Sequence, residues 1–73
     1  MEIDIEIIIK ASLRKMLDNL LKRCRRKNFT YSEIKADLGM MHYDKAYRDV
    51  LIKLMQDWQY INRINRNEFE VLI

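Results

Sequence analysis

The stretch Phe29-Thr30-Tyr31-Ser32-Glu33-Ile34-Lys35-Ala36-Asp37-Leu38-Gly39 constrains the fold more than any other part of the chain. Thr30 stands three residues before Glu33. At that spacing the hydroxyl accepts from the Glu33 N–H while the carboxylate reaches back to the Thr30 N–H, a capping box. Phe29 precedes the cap and Ile34 is the fourth helical residue, so the two can staple the entry. Ile34 and Leu38 lie one turn apart and face a core. Gly39, the only glycine, suits the left-handed residue that ends a helix. The segment reads as a helix of about eight residues with both ends specified. A helix that short is not stable alone, so it serves to brace a neighbour.

The chain has few other means of support. Seventy-three residues make one domain with a small core, and a single cysteine forms no internal disulfide. No Cys/His group has metal-ligand spacing, so no metal and no cofactor is expected. Apolar residues make up 49% of the chain, enough for a dense helical core. A second copy is the other route to stability, and a homodimer is expected. A lone thiol suits a reducing compartment. No apolar run approaches the ~18 residues that span a bilayer. Ile7-Ile8-Ile9 is too short, and too acidic on its N-terminal side, for a signal segment. The expectation is a cytoplasmic or nucleoid-associated protein with no membrane partner.

Upstream of the capped helix, Ile5, Ile8, Ile9, Leu13, Met16, Leu17, Leu20, Leu21 and Cys24 recur at helical spacing. They predict a helix from Asp4 to about Lys27, with Asp4 and Glu6 at its start and five cations at its end, matching the helix dipole. Residues 2–9 also alternate isoleucine with acid, which is strand chemistry. In that case Ser12 would cap a shorter helix. The long helix is preferred, because Arg14 and Lys15 would sit badly in a first turn. At about 36 Å it would outrun a domain of this size, leaving residues 4–12 as a dimerisation extension with Ile5, Ile8 and Ile9 as its contact face.

Downstream, Asp44 is a good N-cap for a third helix ending near Asp57. Tyr47, Val50, Leu51, Leu54 and Trp58 form its expected buried stripe, with Lys45, Arg48, Asp49, Ile52, Lys53 and Gln56 away from it. Tyr60 to Ile64 and Glu68 to Leu72 are β-branched and aromatic, and Asn65-Arg66-Asn67 between them is turn chemistry. The tail predicts a β-hairpin. The class is α+β, mainly α.

The order helix, short capped helix, turn, helix, hairpin resembles a winged helix-turn-helix domain. Glu33-Ile34-Lys35-Ala36-Asp37-Leu38-Gly39-Met40 resembles the family's second helix and the start of its turn. Ala46-Tyr47-Arg48-Asp49-Val50 resembles the start of its recognition helix, and Phe69-Glu70-Val71 its returning strand. Lys35 stands where the family often has a small residue, and Trp58-Gln59 replaces the glycine often found before the wing. The resemblance implies one winged domain over 1–73 that binds double-stranded DNA, with the third helix in the major groove and the wing on the backbone or minor groove.

On that resemblance the recognition helix offers Tyr43, Lys45, Arg48 and Lys53, with His42 beside it. Arg48 would suit guanine O6 and N7, while Tyr43 and Lys45 would suit phosphates. The wing offers Arg63, Asn65, Arg66 and Asn67. Arg25, Arg26 and Lys27 form a phosphate patch. Asp44, Asp49 and Asp57 oppose this, since they offset the positive charge of the same helix. The net charge of +3 is compatible with a polyanion without requiring one.

The alternative class is a winged protein-interaction module that does not touch DNA. An enzyme is not expected, because the chain has no nucleophile–base pair and no phosphate-binding loop. No small-molecule ligand is expected either. RNA remains open as a second polyanion.

Overall fold

The computed structural model describes residues 4–73. Its elements run α1 (Ile5–Cys24), β1 (Asn28–Thr30), α2 (Tyr31–Met40), α3 (Lys45–Asp57), β2 (Ile61–Arg63) and β3 (Glu68–Val71). The chain is α+β and mainly helical. The three strands form one antiparallel sheet in the order β1-β3-β2.

Asp4 caps α1, its carboxylate accepting from the Glu6 N–H at 3.0 Å. The strand reading is therefore corrected for residues 5–9. Its first members, Glu2 and Ile3, lie outside the described residues. The helix also stops earlier than expected. Arg25 takes the left-handed conformation at φ 54° and returns its N–H to the Leu21 carbonyl, so of the basic run only Lys22 and Arg23 lie in the last turn, and Arg25, Arg26 and Lys27 follow it. At 20 residues α1 is about 30 Å long.

Asn28–Thr30 form β1, a strand not foreseen from the sequence. It pairs Phe29 directly with Phe69 of β3, and both rings are fully buried, an aromatic cross-strand pair at the centre of the sheet. The core gathers Leu13, Met16, Leu17 and Leu20 from α1, Ile34 and Leu38 from α2, Leu51, Ile52 and Met55 from α3, and Phe29, Ile61, Phe69 and Val71 from the sheet.

The capping box of α2 forms as expected. The Glu33 N–H donates to Thr30 Oγ1 at 3.1 Å and the Thr30 N–H to Glu33 Oε1 at 3.0 Å. The helix end differs. Gly39 stays helical, with no positive φ, and α2 continues to Met40. His42 takes the left-handed position instead, at φ 67°. Gly39 is required for space, because a Cβ there would meet the Arg48 guanidinium at 3.0–3.1 Å.

Asp44 occupies the N-cap of α3 but makes no side-chain cap bond. The buried stripe of α3 is also rotated from the expected one. Leu51, Ile52 and Met55 are buried, while Tyr47 and Val50 are 43% and 50% exposed. Leu51 belongs to both stripes, so the helix pivots about it by roughly one residue position. Before β2, Gln59 adopts φ 61°, the conformation a glycine would favour.

Candidate nucleic-acid interface

Two helical flanks of α2 decide where charge goes. Ile34 and Leu38 face the core. Residues one turn apart on either side of that stripe point in opposite directions: Glu33 and Asp37 toward α1, Tyr31 and Lys35 toward α3. Arg23 Nη2 donates to both Asp37 oxygens at 3.1 and 3.2 Å. Arg26 pairs with Glu33 and lies over the Phe29 ring at 5.0 Å. Of the expected phosphate patch, Arg26 is thus engaged by the acidic flank of α2. Arg25 and Lys27 are exposed. Lys27 has its carbonyl fixed by the Val71 N–H at 2.8 Å.

The other flank builds a different arrangement. The Tyr31 hydroxyl donates to Asp49 of α3, and Lys35 Nζ sits 3.4 Å from the same carboxylate and 5.2 Å from the Tyr31 ring centre. The Tyr31 hydroxyl bond holds the Asp49 carboxyl below the usual carboxylate range, with Lys35 adding to the effect. The same bond raises Tyr31 above the usual phenol value, helped by burial. Asp49 therefore does not present a bare negative charge on α3. Lys45 and Lys53, at i−4 and i+4 from it, are both exposed and lie in one row with it along the helix.

The hairpin adds to this side. The Arg63 guanidinium lies over Phe69 at 5.4 Å, and the Tyr31 ring stands 6.0 Å from that same ring. The turn is fixed at its base, where the Tyr31 N–H donates to the Asn67 carbonyl at 2.7 Å. Within it, the Asn67 N–H donates to Asn65 Oδ1 at 2.9 Å. Asn65, Arg66 and Asn67 are exposed.

The structure thus sets Tyr31 and Lys35, which sequence reasoning missed, on the acid between Lys45 and Lys53, and places Arg63 over the Phe69 ring that Tyr31 also approaches. The i, i+4 spacing of Tyr31 and Lys35 was visible, but their partner on α3 was not. Arg48 is placed elsewhere. It is half-buried, packed on Gly39, and its Nε donates to the Tyr43 carbonyl at 2.7 Å. That makes it a clamp on the α2–α3 turn. Tyr43 is half-buried with its ring 5.9 Å from that of Tyr47, and His42 is exposed at the turn. Of the expected dimer residues, Ile5 and Ile8 are 69% and 51% exposed, while Ile9 packs against the core.

Among the described residues no group of His, Cys, Asp and Glu is placed to hold a metal, and no helix is long and apolar enough to cross a membrane. Comparison with protein-family models, with curated proteins and with solved structures finds no match to this chain.

Proposed function

We propose that this chain is a winged helix-turn-helix domain that binds double-stranded DNA, working as a small dimeric transcriptional regulator. The helix–strand–helix–helix–hairpin order and the β1-β3-β2 sheet support the architecture. The single observation that carries the function is the Lys45–Asp49–Lys53 row of α3, in which the acid between the two lysines is already engaged by Tyr31 and Lys35, leaving Asp57 as the exposed acid at the far end of the row. Lys45, Lys53 and Arg63 then offer three cations to phosphates or base edges from one helix and the hairpin. In this reading α3 enters the major groove and the β2–β3 turn, with Arg66 at its tip, lies on the backbone. Arg48 acts through the turn, setting the angle of α3 instead of reading a base.

A mobility-shift titration against random duplex at two salt concentrations tests this. Retardation that weakens steeply with salt and is reduced in Lys45→Ala and Lys53→Ala supports it. No shift at low salt overturns it.

A specific observation favours the second reading, a protein-interaction module. Tyr47 and Val50 are exposed apolar groups on the outward side of the same helix, which suits a protein partner better than phosphates. In that reading Tyr47→Ala and Val50→Ala remove binding to the partner, and the lysine variants leave it intact.

A further inference from the structure

The outward face of α3 lies opposite its buried stripe of Leu51, Ile52 and Met55. At 3.6 residues per turn, Ala46 falls within about 10° of that direction, Asp57 within about 15°, and Lys53 and Val50 within about 35°. All four are exposed, Val50 by 50%. Lys45 and Tyr47 stand to either side, about 100° from the centre. The side chains best suited to paired hydrogen bonds on base edges are arginine and the amides. α3 contributes Arg48 and Gln56 of this kind, and both are half-buried. Arg48 is moreover bound to the Tyr43 carbonyl at 2.7 Å. The first two turns of the helix therefore present a small apolar centre, Ala46 and Val50, bordered by the cations Lys45 and Lys53. The two apolar residues lie about 6 Å apart along the axis.

We infer that α3 reads thymine through its C5-methyl group, with Ala46 and Val50 as the contacts and Lys45 and Lys53 on the phosphates beside them. Thymine alone places an apolar group in the major groove. Cytosine shows an N4 donor there, and the purines show N7 acceptors. A valine pressed on one of those polar edges strips its water and returns no hydrogen bond, which is costly. The same valine on a thymine methyl removes apolar surface from water on both sides, which is favourable. Base pairs rise by about 3.4 Å, so Ala46 and Val50 fall on neighbouring steps of one site. Specificity then comes from the apolar centre of the face and affinity from its charged border. This rests on the DNA reading above, and it gives Val50 a base contact where the second reading gives it a protein partner.

Anisotropy titrations of two duplexes of equal length test it, one of alternating A·T pairs and one with deoxyuridine in place of every thymidine. Circular dichroism shows that each variant is folded. The two duplexes differ only in the methyl groups, whose loss should weaken wild-type binding by about fourfold for each methyl covered. Val50→Ala changes an exposed side chain outside the core, and it should shrink that ratio toward one, because the discrimination belongs to the contact between valine and methyl. Lys53→Ala should weaken both duplexes alike and keep the ratio. Equal binding of the two duplexes by the wild type overturns the inference and leaves the DNA reading standing. So does a preference for thymine that Val50→Ala leaves unchanged, since the shape of the duplex would then be its source. Binding to neither duplex at low salt overturns the DNA reading itself and this inference with it.

Discussion

The Arg48 guanidinium lies on the bare face of Gly39, where an added methyl would meet Cζ at 3.0 Å and the terminal nitrogens at 3.1 Å. Glycine in a helix costs about 1 kcal/mol relative to alanine, so Gly39 is retained at the expense of α2 to seat Arg48. Arg48→Ala should lose about 1 kcal/mol with its bond to the Tyr43 carbonyl. Gly39→Ala should stabilise the Arg48→Ala background by roughly 1 kcal/mol and the wild type by much less. A double-mutant cycle by urea unfolding measures the difference. Equal effects in both backgrounds would show that the two residues are not coupled.

The facing of α3 gives a second, sharper contrast. Ile52 is buried, so Ile52→Ala should cost about 2–5 kcal/mol. Val50, half exposed, should lose no more than about 0.5 kcal/mol on going to alanine. The stripe expected from the sequence gives the opposite ranking. Thermal or urea unfolding of the two variants decides between them.

Much of the fold was legible where the chemistry is local. The Thr30–Glu33 box, the Asp4 start of α1 and the Asn65-Arg66-Asn67 turn each depend on neighbours within a few residues. β1 was not legible, because Asn28–Thr30 is three residues long and becomes a strand only by pairing with Glu68–Glu70. The roll of α3 was ambiguous for a different reason: the expected Tyr47, Val50, Leu51, Leu54 and Trp58 and the observed Leu51, Ile52 and Met55 both satisfy helical spacing. Tertiary packing chose between them. The site suffered from the same limit. Lys45 and Lys53 were readable as exposed cations, but Arg48 was claimed by Gly39 and Tyr43. Arg26 was claimed by Glu33, and neither pairing can be seen along the chain.

The capping box makes stability depend on acid pH. The backbone N–H of Thr30 is the main cause that holds the Glu33 carboxyl below its usual range, with Arg26 adding to it. A depressed carboxyl contributes stability that is fully present above its unfolded value, about 4.3, and is lost as pH falls through the folded value. Thr30→Ala should cost about 1 kcal/mol at neutral pH. Glu33→Gln should flatten the decline in melting temperature below about pH 4. A decline as steep as that of the wild type would place the acid sensitivity on other carboxylates, such as Asp49.

Asp49 is the test of how α3 meets a polyanion. It holds Lys35 at 3.4 Å and accepts from Tyr31, but Asp49 itself is exposed and an ion pair in reach of solvent adds little to stability. Asp49→Asn should therefore leave the fold intact. It removes the one negative charge in the Lys45–Lys53 row and releases the Lys35 ammonium toward solvent. If that face lies on duplex DNA, the variant should bind more tightly. One added phosphate contact should steepen the slope of log K against log salt by about 0.9. Lys53→Ala should make the slope shallower by a similar amount. Fluorescence-anisotropy titrations across a salt series read both slopes in one experiment. Opposite changes in the two variants place phosphates against this row of side chains. Unchanged slopes in both would mean that whatever α3 contacts, it is not the nucleic-acid backbone.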